Sequence, residues 1–202
     1  MVSSGLDGIS FQEHDGPETA GVIGRLIWIW AQESPDGDVD LRTRLALRHT
    51  GCNGFRCFTA SSEDVIIGYA YGMYDGQGTG LGEPGNVISL GSHDLLAELI
   101  ARENEDGVIR TDPEWLAAYD IAEVQVLADY RGRGIGEALV RKLCRSLPGG
   151  DRVVLAVEPQ NIIAQRVYER VGFRDLYGVP VISRRLALNP QVLMGLGRAG
   201  DA

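Results

Sequence analysis

The chain has 202 residues, which is enough for one domain with a sizeable core and short for two. Hydrophobic residues make up 44% of the chain and charged residues 23%, which is ordinary for a globular protein in water. The formal net charge of -9 argues against nucleic acid as a partner, because phosphate binding needs a basic surface.

The cysteines and the apolar segments indicate neither a metal site nor a membrane. Cys52, Cys57 and Cys144 form an odd set without metal-ligand spacing, so we expect inert thiols in a reducing compartment and no metal. The start, MVSSGLDGIS, lacks the basic and apolar regions of a signal peptide. The longest apolar patch, GVIGRLIWIWA, is far shorter than the roughly 20 residues that span a bilayer. We therefore expect a cytoplasmic protein.

Two helices are predicted in the first fifty residues. The first covers Pro17 to about Gln32 with the proline in its first turn, where proline is tolerated. The second is VDLRTRLALRH, which places Leu45 and His49 on one face. Because His49 ends this helix, we expect it to serve as a C-terminal cap rather than as a catalytic group.

The middle of the chain is predicted to hold a hairpin, a loop and a helix. GFRCFTA and DVIIGYAYGMY are strand-like runs joined by the polar turn SSED. The next segment contains a GxGxxG at Gly80, Gly82 and Gly85, but no helix follows it, so we interpret it as a loop and not a dinucleotide site. SHDLLAELIAREN then predicts a helix capped by Ser92, and DPEWLAAY a further helical turn.

The second half alternates strands and helices. IAEVQVLA is a predicted strand, EALVRKLCRSL a helix and RVVLAVEP a strand covered on both faces. NIIAQRVYERVGF is a helix that begins after Asn161, a good N-cap, and stops at Gly172. Two last strands are expected near FRDLYGV and QVLMGLG. Without a repeat or linker, residues 1–202 are interpreted as one domain with flexible tails at about 1–10 and 197–202.

The stretch DYRGRGIGEALVRKL places glycines and arginines at a helix start, although glycine costs about 1 kcal/mol inside a helix. Unpaired N–H groups and the positive end of the helix dipole lie at such a start. Bare backbone at Gly132, Gly134 and Gly136 would let a phosphate approach closely, and Arg131 and Arg133 would add charge. The pattern favours a ligand with a pyrophosphate. The alternative is a tight turn with solvated arginines.

This turn resembles motif A of the GNAT superfamily of N-acetyltransferases, in which a strand ending in Val precedes Arg/Gln-x-x-Gly-x-Gly/Ala. The corresponding residues here are Val126, Arg131, Gly134 and Gly136. In that family the loop holds the pyrophosphate of acetyl-coenzyme A. Many members carry proline where this chain has Ala128. The proline shapes the turn rather than taking part in chemistry, so coenzyme binding is still expected here.

A second match lies downstream and resembles motif B of the same family. The family places Asn, Ala and Tyr on the helix after the next strand and closes it with Gly-Phe, which here are Asn161, Ala164, Tyr168, Gly172 and Phe173. Spacing by four residues puts the alanine and the tyrosine on one helical face. The alternative for Tyr168 is an aromatic side chain of the core.

The resemblance implies a fold, an activity and a set of contacts. The fold is α/β (α+β): a mixed, mostly antiparallel sheet of six to seven strands, with a splayed central parallel strand pair and helices on both faces. The activity is transfer of an acetyl group from acetyl-coenzyme A to a primary amine, and a homodimer is one assembly open to the chain. The residues expected to bind the coenzyme are Val126, Leu127, Ala128, Arg131, Gly132, Arg133, Gly134, Ile135, Gly136, Glu137, Asn161, Ala164 and Tyr168.

The resemblance also implies roles in direct attack of the amine on the thioester. The backbone N–H near Val126 would hold the developing oxyanion, and Tyr168, with an ordinary pKa of about 10, would protonate the thiolate. Glu123 is the candidate general base, with Asp120 and Glu158 as alternatives. Strand alternation puts 120 on the face of 126 and 123 on the opposite face. An alternative function is an acyl-coenzyme A-binding regulatory domain without turnover.

The segment from residue 75 to 115 is rich in carboxylates and, in this family, the insertion before the central strand borders the acceptor cleft. We expect it to attract a cationic amine, with Trp115 as an apolar wall or, alternatively, as a core side chain. Its charged residues are Asp75, Glu83, Asp94, Glu98, Glu103, Glu105, Asp106, Asp112 and Glu114, against Arg102 and Arg110.

Overall fold

The structure is a computed structural model that describes residues 6–15, 19–33, 37–74, 92–107, 111–148, 151–182 and 189–197. Its strands are β1 (Ile9–Asp15), β2 (Arg56–Ser62), β3 (Val65–Met73), β4 (Tyr119–Val126), β5 (Val153–Val157), β6 (Arg174–Asp175) and β7 (Val192–Leu196). Its α-helices are α1 (Ala20–Glu33), α2 (Val39–His49), α3 (Ser92–Asp106), α4 (Ile135–Ser146) and α5 (Ile162–Val171). Short 3-10 helices cover Pro113–Ala117 and Ala128–Tyr130.

The strands form a seven-stranded mixed sheet in the order β1-β2-β3-β4-β5-β7-β6. β4 and β5 are parallel, whereas β1 with β2, β2 with β3, β5 with β7 and β6 with β7 are antiparallel. The parallel register comprises two pairs, Tyr119 with Val153 and Asp120 with Val154. The predicted fold, a mixed and mostly antiparallel sheet with a central parallel pair, is confirmed.

The chain divides into two compact units. The first comprises Met1–Met73 and Glu123–Leu147, and the second Tyr74–Ala122 and Pro148–Ala202. The boundary falls inside β4, so this strand contributes residues to both units. The interpretation of residues 1–202 as one domain stays a prediction.

In the first unit, β2 and β3 form the predicted hairpin. Ser62 pairs with Val65, so the loop is only Glu63 and Asp64. Both loop residues have positive φ, 48° and 63°, as in the type I′ turn whose twist matches that of the flanking strands. The turn is therefore tighter than the four-residue SSED loop expected from the sequence.

Helices cover the first unit on both faces of its strands. α1 and α2 bury Ile23, Leu26 and Ile29 in a core with Tyr69 and Tyr71 of β3. Within β4, Glu123 faces α2, whereas Val126 lies on the opposite face next to Gly136 of α4. Since strand residues alternate between faces, the arrangement follows from the sequence period. The first predicted helix begins at Ala20, and Pro17 lies outside the described residues.

β1 was missed by the sequence analysis, which assigned residues 9 and 10 to a tail. The strand ISFQEHD carries few apolar residues, and most of it is exposed. It pairs with all of β2, and side chains reinforce the pairing, because His14 lies 3.0 Å from the Thr59 hydroxyl and Arg56 donates to Glu13 at 2.5 Å. Because backbone and polar contacts hold the strand, its sequence shows no apolar alternation from which a strand could be predicted.

The second unit is built around β5 and β7, which pair over five residues. Leu95 and Leu96 of α3 pack on Val154 and Leu193 of these strands. Gly195 of β7 makes room for Trp115, since a Cβ at position 195 would lie 2.5 Å from the indole ring. Trp115 is thus a half-buried side chain that packs against the core of this unit, which favours the alternative interpretation.

Three further expectations can be compared with the described part of the chain. Burial raises the pKa of the Cys57 and Cys144 thiols to about 12, which agrees with inert thiols. No described helix is long and apolar enough to cross a bilayer. Residues 75–91, which include Gly80, Gly82 and Gly85, lie outside the described residues.

The prediction that His49 caps a helix C-terminus is wrong. The α2 cap is Thr50, whose N–H reaches the carbonyls of Ala46 and Arg48. His49 is buried, and its Nδ1 lies 3.3 Å from the Tyr71 hydroxyl. Burial, followed by the nearby charges of Arg42 and Arg48, lowers the pKa of His49 from 6.5 to about 4. The imidazole is therefore neutral in the folded protein.

We predict that His49 makes the protein less stable in mild acid. The depressed pKa means that only the unfolded chain binds a proton below pH 6.5, so the stabilisation is complete above pH 6.5 and is lost toward pH 4. The free energy of unfolding should fall by about 2 kcal/mol between pH 7.5 and pH 5 from this group alone. Urea unfolding measures this difference. His49→Phe should remove that part of the pH dependence, and an unchanged slope in the variant would refute the assignment.

Candidate functional site

The predicted glycine–arginine turn lies in the first unit and leads from β4 into α4. Gly134 is the N-cap of α4 with φ +83°, and Gly132 has φ +75°. Both conformations are left-handed, which glycine adopts at little cost. A glycine N-cap offers no side-chain acceptor, so the first-turn N–H groups of α4 are presented without a cap of their own.

Gly136 differs from the other two glycines. Its φ is ordinary, and a Cβ there would lie 3.8 Å from Cγ2 of Val126, which is normal van der Waals contact. The fold therefore requires glycine at 132 and 134 through backbone conformation, but it does not require glycine at 136. A need for glycine at 136 would have to come from a ligand.

The two arginines of the turn bond to its backbone. Arg131 Nε donates to the Val126 carbonyl at 2.9 Å, and Arg133 Nη2 donates to the Asp129 carbonyl at 3.0 Å. The Arg133 guanidinium also lies 5.0 Å from the centre of the Tyr130 ring. Both arginine residues are exposed. They shape the turn while their positive charge stays at its surface.

A β-bulge in β3 fixes the end of β4, and sequence reasoning missed it. Ala60 pairs with Gly68 and Ser61 with Ile66, so Ile67 is the extra residue. The Ile67 carbonyl accepts the Leu127 N–H at 2.9 Å. A Cβ at Gly68 would lie 2.9 Å from the Gln125 carbonyl oxygen, so glycine permits this approach. A glycine inside a predicted strand was the signal available.

Arg25 of α1 holds the same bulge from the helix side. Its Nε and Nη2 both donate to the Ile66 carbonyl, at 3.0 and 2.8 Å. The guanidinium lies 3.9 Å from the centre of the Trp28 ring, and Trp28 is 44% exposed. An arginine within an apolar helix gave little hint of this role, because its partner is 41 residues away in the sequence.

Glu123, the candidate base, is buried on the α2 side of β4. Its Oε2 forms an ion pair with Nη2 of Arg42, and its Oε1 accepts from Gln125 Nε2 at 3.2 Å. The Arg42 guanidinium lies 5.4 Å from the centre of the Trp30 ring. The carboxylate is thus held by a guanidinium and an amide, and its role as a base stays a prediction.

The two alternative bases lie in the second unit, and each has another partner. Asp120 is buried and accepts two hydrogen bonds from Ser92, from the N–H at 3.0 Å and from the hydroxyl at 2.7 Å. The expected Ser92 cap is therefore wrong, because its hydroxyl donates to Asp120. Burial raises the pKa of Asp120, opposed by His93 and by the Ser92 hydrogen bonds. Glu158 is exposed and accepts from Gln160 at 2.9 Å.

The predicted helix of the second motif is α5, in the second unit. Asn161 is its N-cap and accepts the Ala164 N–H at 3.1 Å, and Gly172 ends it with φ 118°. Tyr168 is buried with its ring centre 6.0 Å from that of Phe173. Burial raises the pKa of Tyr168 to about 12, above the ordinary value assumed from the sequence. Its role in catalysis stays a prediction.

The remaining predicted coenzyme-binding residues surround the turn. Leu127 packs against the core of α1 and α2, and Ala128 opens the 3-10 turn. Ile135 is buried, whereas Glu137 forms an ion pair with Arg141 at 3.0 Å within α4. These side chains anchor the loop, so any contacts with a ligand would fall mainly to the backbone.

The acidic segment expected to attract a cationic acceptor uses several carboxylates internally. Glu103 accepts from the N–H and hydroxyl of Thr111, at 2.7 and 2.8 Å. Asp112 and Glu114 both form ion pairs with Arg152. Residues 75–91 and 108–110 and the side chain of residue 106 lie outside the described residues. The charge argument for the acceptor is weaker than the sequence suggested.

Comparison with known proteins agrees with the two sequence motifs. Residues 24–173 match the model of the acetyltransferase (GNAT) family. Among curated proteins, none is a significant sequence match to this chain.

Solved structures share the fold at low sequence identity. The yncA protein of Salmonella typhimurium, solved with its cofactor acetyl-CoA, has a TM-score of 0.57 and 14% identity and covers 96% of each chain. A phosphinothricin acetyltransferase of Sinorhizobium meliloti in complex with AcCoA has a TM-score of 0.56 and 14% identity, and the match covers 95% of this chain and 89% of that one. NAA60 of Arabidopsis thaliana in complex with a bisubstrate analogue has a TM-score of 0.55 and 18% identity, and the match covers 95% of this chain and 99% of that one.

We predict opposite effects for alanine at two glycines of the turn. Gly134→Ala should lower the free energy of unfolding by about 1 kcal/mol or more, because alanine is strained at positive φ. Gly136→Ala adds the same methyl group at an ordinary φ with its nearest atom 3.8 Å away, so stability should be equal or higher. Urea denaturation of both variants tests this. Equal losses would contradict the assigned conformations.

Proposed function

Because the chain belongs to the GNAT family of acetyltransferases, we propose that it acetylates a primary amine of a small molecule or peptide by direct attack within a ternary complex. The observation that carries the proposal is the start of α4. There the left-handed Gly134, an uncapped helix N-terminus and two exposed arginines lie together.

The turn is suited to the pyrophosphate of acetyl-coenzyme A. The N–H groups of residues 132–136 and the positive end of the α4 dipole favour an anion without any side-chain acceptor to displace. Arg131 and Arg133 add positive charge beside these groups. Since both guanidiniums also bond to the loop backbone, they support its shape as well as its charge.

The reaction forms a C–N bond and breaks a C–S bond. The neutral amine attacks the thioester carbonyl carbon, the carbonyl oxygen becomes an oxyanion, and collapse of the tetrahedral intermediate expels the coenzyme as a thiolate. The ammonium proton passes to a base, and the departing thiolate, stabilised by a hydrogen bond from Tyr168, takes its proton from solvent. We assign the oxyanion contact to the backbone N–H near Val126, at the end of β4 that the β3 bulge and Arg131 hold in place.

Tyr168 is the proposed hydrogen-bond donor to the departing sulfur. Burial raises its pKa to about 12, so the phenol is protonated at neutral pH. A thiol has a pKa of about 8.5, so complete proton transfer from the phenol is uphill. Tyr168 therefore acts mainly as a hydrogen-bond donor that stabilises negative charge on sulfur as the C–S bond lengthens.

Glu123 is the proposed acceptor of the ammonium proton, directly or through water. It is a buried carboxylate on β4, the strand that also carries the oxyanion contact. Its ion pair with Arg42 orients the carboxylate, and Gln125 holds the second oxygen. To accept a proton, the Glu123 carboxylate has to release Arg42 or Gln125, or share one of them with the acceptor.

We predict that Arg131→Ala weakens acetyl-coenzyme A binding about tenfold or more. A hydrogen bond to a charged group is worth roughly 1.5–3 kcal/mol, and the substitution also frees the Val126 carbonyl. Titration calorimetry measures the dissociation constant. Arg145→Ala, the same charge change in the last turn of α4, is the control and should bind normally. Unchanged affinity in Arg131→Ala would disprove the pyrophosphate assignment.

We predict that Tyr168→Phe lowers kcat by roughly 10²–10³-fold, the range for loss of one positioned hydrogen-bond donor to developing negative charge, while coenzyme affinity changes little. The phenyl ring keeps the packing against Phe173. Thiol release gives kcat, and calorimetry gives the dissociation constant. Tyr177→Phe removes a hydroxyl bonded to Thr111 in the same unit and should keep full activity. Full turnover in Tyr168→Phe would mean that Tyr168 is only a core aromatic.

A further inference from the structure

The ion pair of Arg42 and Glu123 includes the carboxylate proposed as the base. The two side chains are only 17% and 7% exposed. Arg42 reaches the pair from the first turns of α2 and lies 5.4 Å from the centre of the Trp30 ring. The pair thus consists of a cation held by an aromatic face and an anion held by strand β4, in direct contact.

Aromatic and neutral groups lie around this pair, and Arg48 is a further positive charge near His49. Tyr69 and Tyr71 of β3 lie on the same face with stacked rings, 6.1 Å apart, and Tyr71 contacts His49. The phenol of Tyr69 and the imidazole of His49 are both neutral, since burial raises the pKa of the first and lowers that of the second. Within the described residues of this cluster, Glu123 is the counter-ion of Arg42, and burying either charge without its partner is costly.

An acceptor that carries only a positive charge would fit this arrangement poorly. Its ammonium would compete with Arg42 for Glu123 and leave a buried guanidinium without a counter-ion. An acceptor that carries an ammonium and a carboxylate can instead exchange partners with the pair. Its ammonium takes Glu123, its carboxylate takes Arg42, and the net charge of the buried site does not change.

We propose that the acetyl acceptor is an α-amino acid, whose carboxylate is bound by Arg42 while its ammonium faces Glu123. The direct contact of the two side chains favours an acceptor whose own charges are close together, as in an α-amino acid, over one that separates them by a long chain. Planar guanidinium donors match a carboxylate in two-point hydrogen bonding, and the Arg42 guanidinium lies 5.4 Å from the centre of the Trp30 ring. This inference rests on the proposed acetyl transfer.

Matched acceptors test the inference. Several α-amino acids are each compared with their amide and with the amine left after removal of the carboxylate, and kcat/KM is measured by thiol release from acetyl-coenzyme A. Each set keeps the side chain and the primary amine, so only the anion differs. We expect the amino acid to exceed both partners by at least tenfold, mainly through KM.

Variants then locate the origin of the preference. Arg42→Met should abolish the advantage of the amino acid, and Arg42→Lys should restore part of it. Because Arg42→Met leaves Glu123 buried without its partner, the double variant Arg42→Met/Glu123→Gln removes both charges and should also show no preference in binding, measured by calorimetry with the coenzyme present. Arg44→Met changes an exposed arginine of the same helix and should keep the preference.

The outcomes separate the two proposals. Equal kcat/KM within every matched set, or a preference that survives Arg42→Met, would overturn the amino-acid acceptor and leave acetyl transfer intact. Absence of thiol release with every amine, despite coenzyme binding, would overturn both. A clear preference for amino acids that is lost with Arg42 and kept with the Arg44 variant supports the inference.

Discussion

The close approach of β3 and β4 at Gly68 is the constraint on which the candidate site depends. Any side chain at this position would meet the Gln125 carbonyl, and the bulge turns the carbonyl of Ile67 toward the Leu127 N–H. This contact fixes where β4 ends. The turn that follows, with its left-handed glycines, then sets where α4 begins and which N–H groups it presents.

Arginine side chains stabilise this region by donating hydrogen bonds to backbone carbonyls near the bulge and the turn. Arg25 bonds to the Ile66 carbonyl, Arg131 to the Val126 carbonyl and Arg133 to the Asp129 carbonyl. Each guanidinium satisfies a carbonyl at an irregular point of the chain, where regular secondary structure cannot do so. The charge that would attract a pyrophosphate is therefore positioned by the same hydrogen bonds that shape the loop. Arg42 differs, since its partner is a buried carboxylate.

The sequence predicted the elements whose signals are local. The cap at Asn161 and the stop at Gly172 depend on residues within one helix, so capping rules were sufficient. The hairpin was predicted from its two adjacent strands, although its turn is shorter than expected. The long-range contacts were not predictable. The carboxylate of Asp120 contacts Ser92 across 28 residues, which made a predicted cap wrong.

The buried ion pair and the β3 bulge also depend on long-range contacts that the sequence did not predict. A buried ion pair between Arg42 and Glu123 has no signature in either segment alone, because each residue is ordinary in its own helix or strand. The bulge at Ile67 needed the pairing register, and β1 needed its partner strand. The family motifs nonetheless indicated the turn correctly, because they record a backbone conformation that glycine alone makes easy.

Amide hydrogen exchange with and without acetyl-coenzyme A tests the central claim, that the start of α4 binds the coenzyme through its backbone. The account predicts that saturating coenzyme slows exchange in peptides covering residues 131–137, because their N–H groups become hydrogen-bonded to phosphate oxygens. The last turn of α4, measured in the same experiment, should change little. Unaltered exchange at residues 131–137 when the coenzyme is bound would contradict the account.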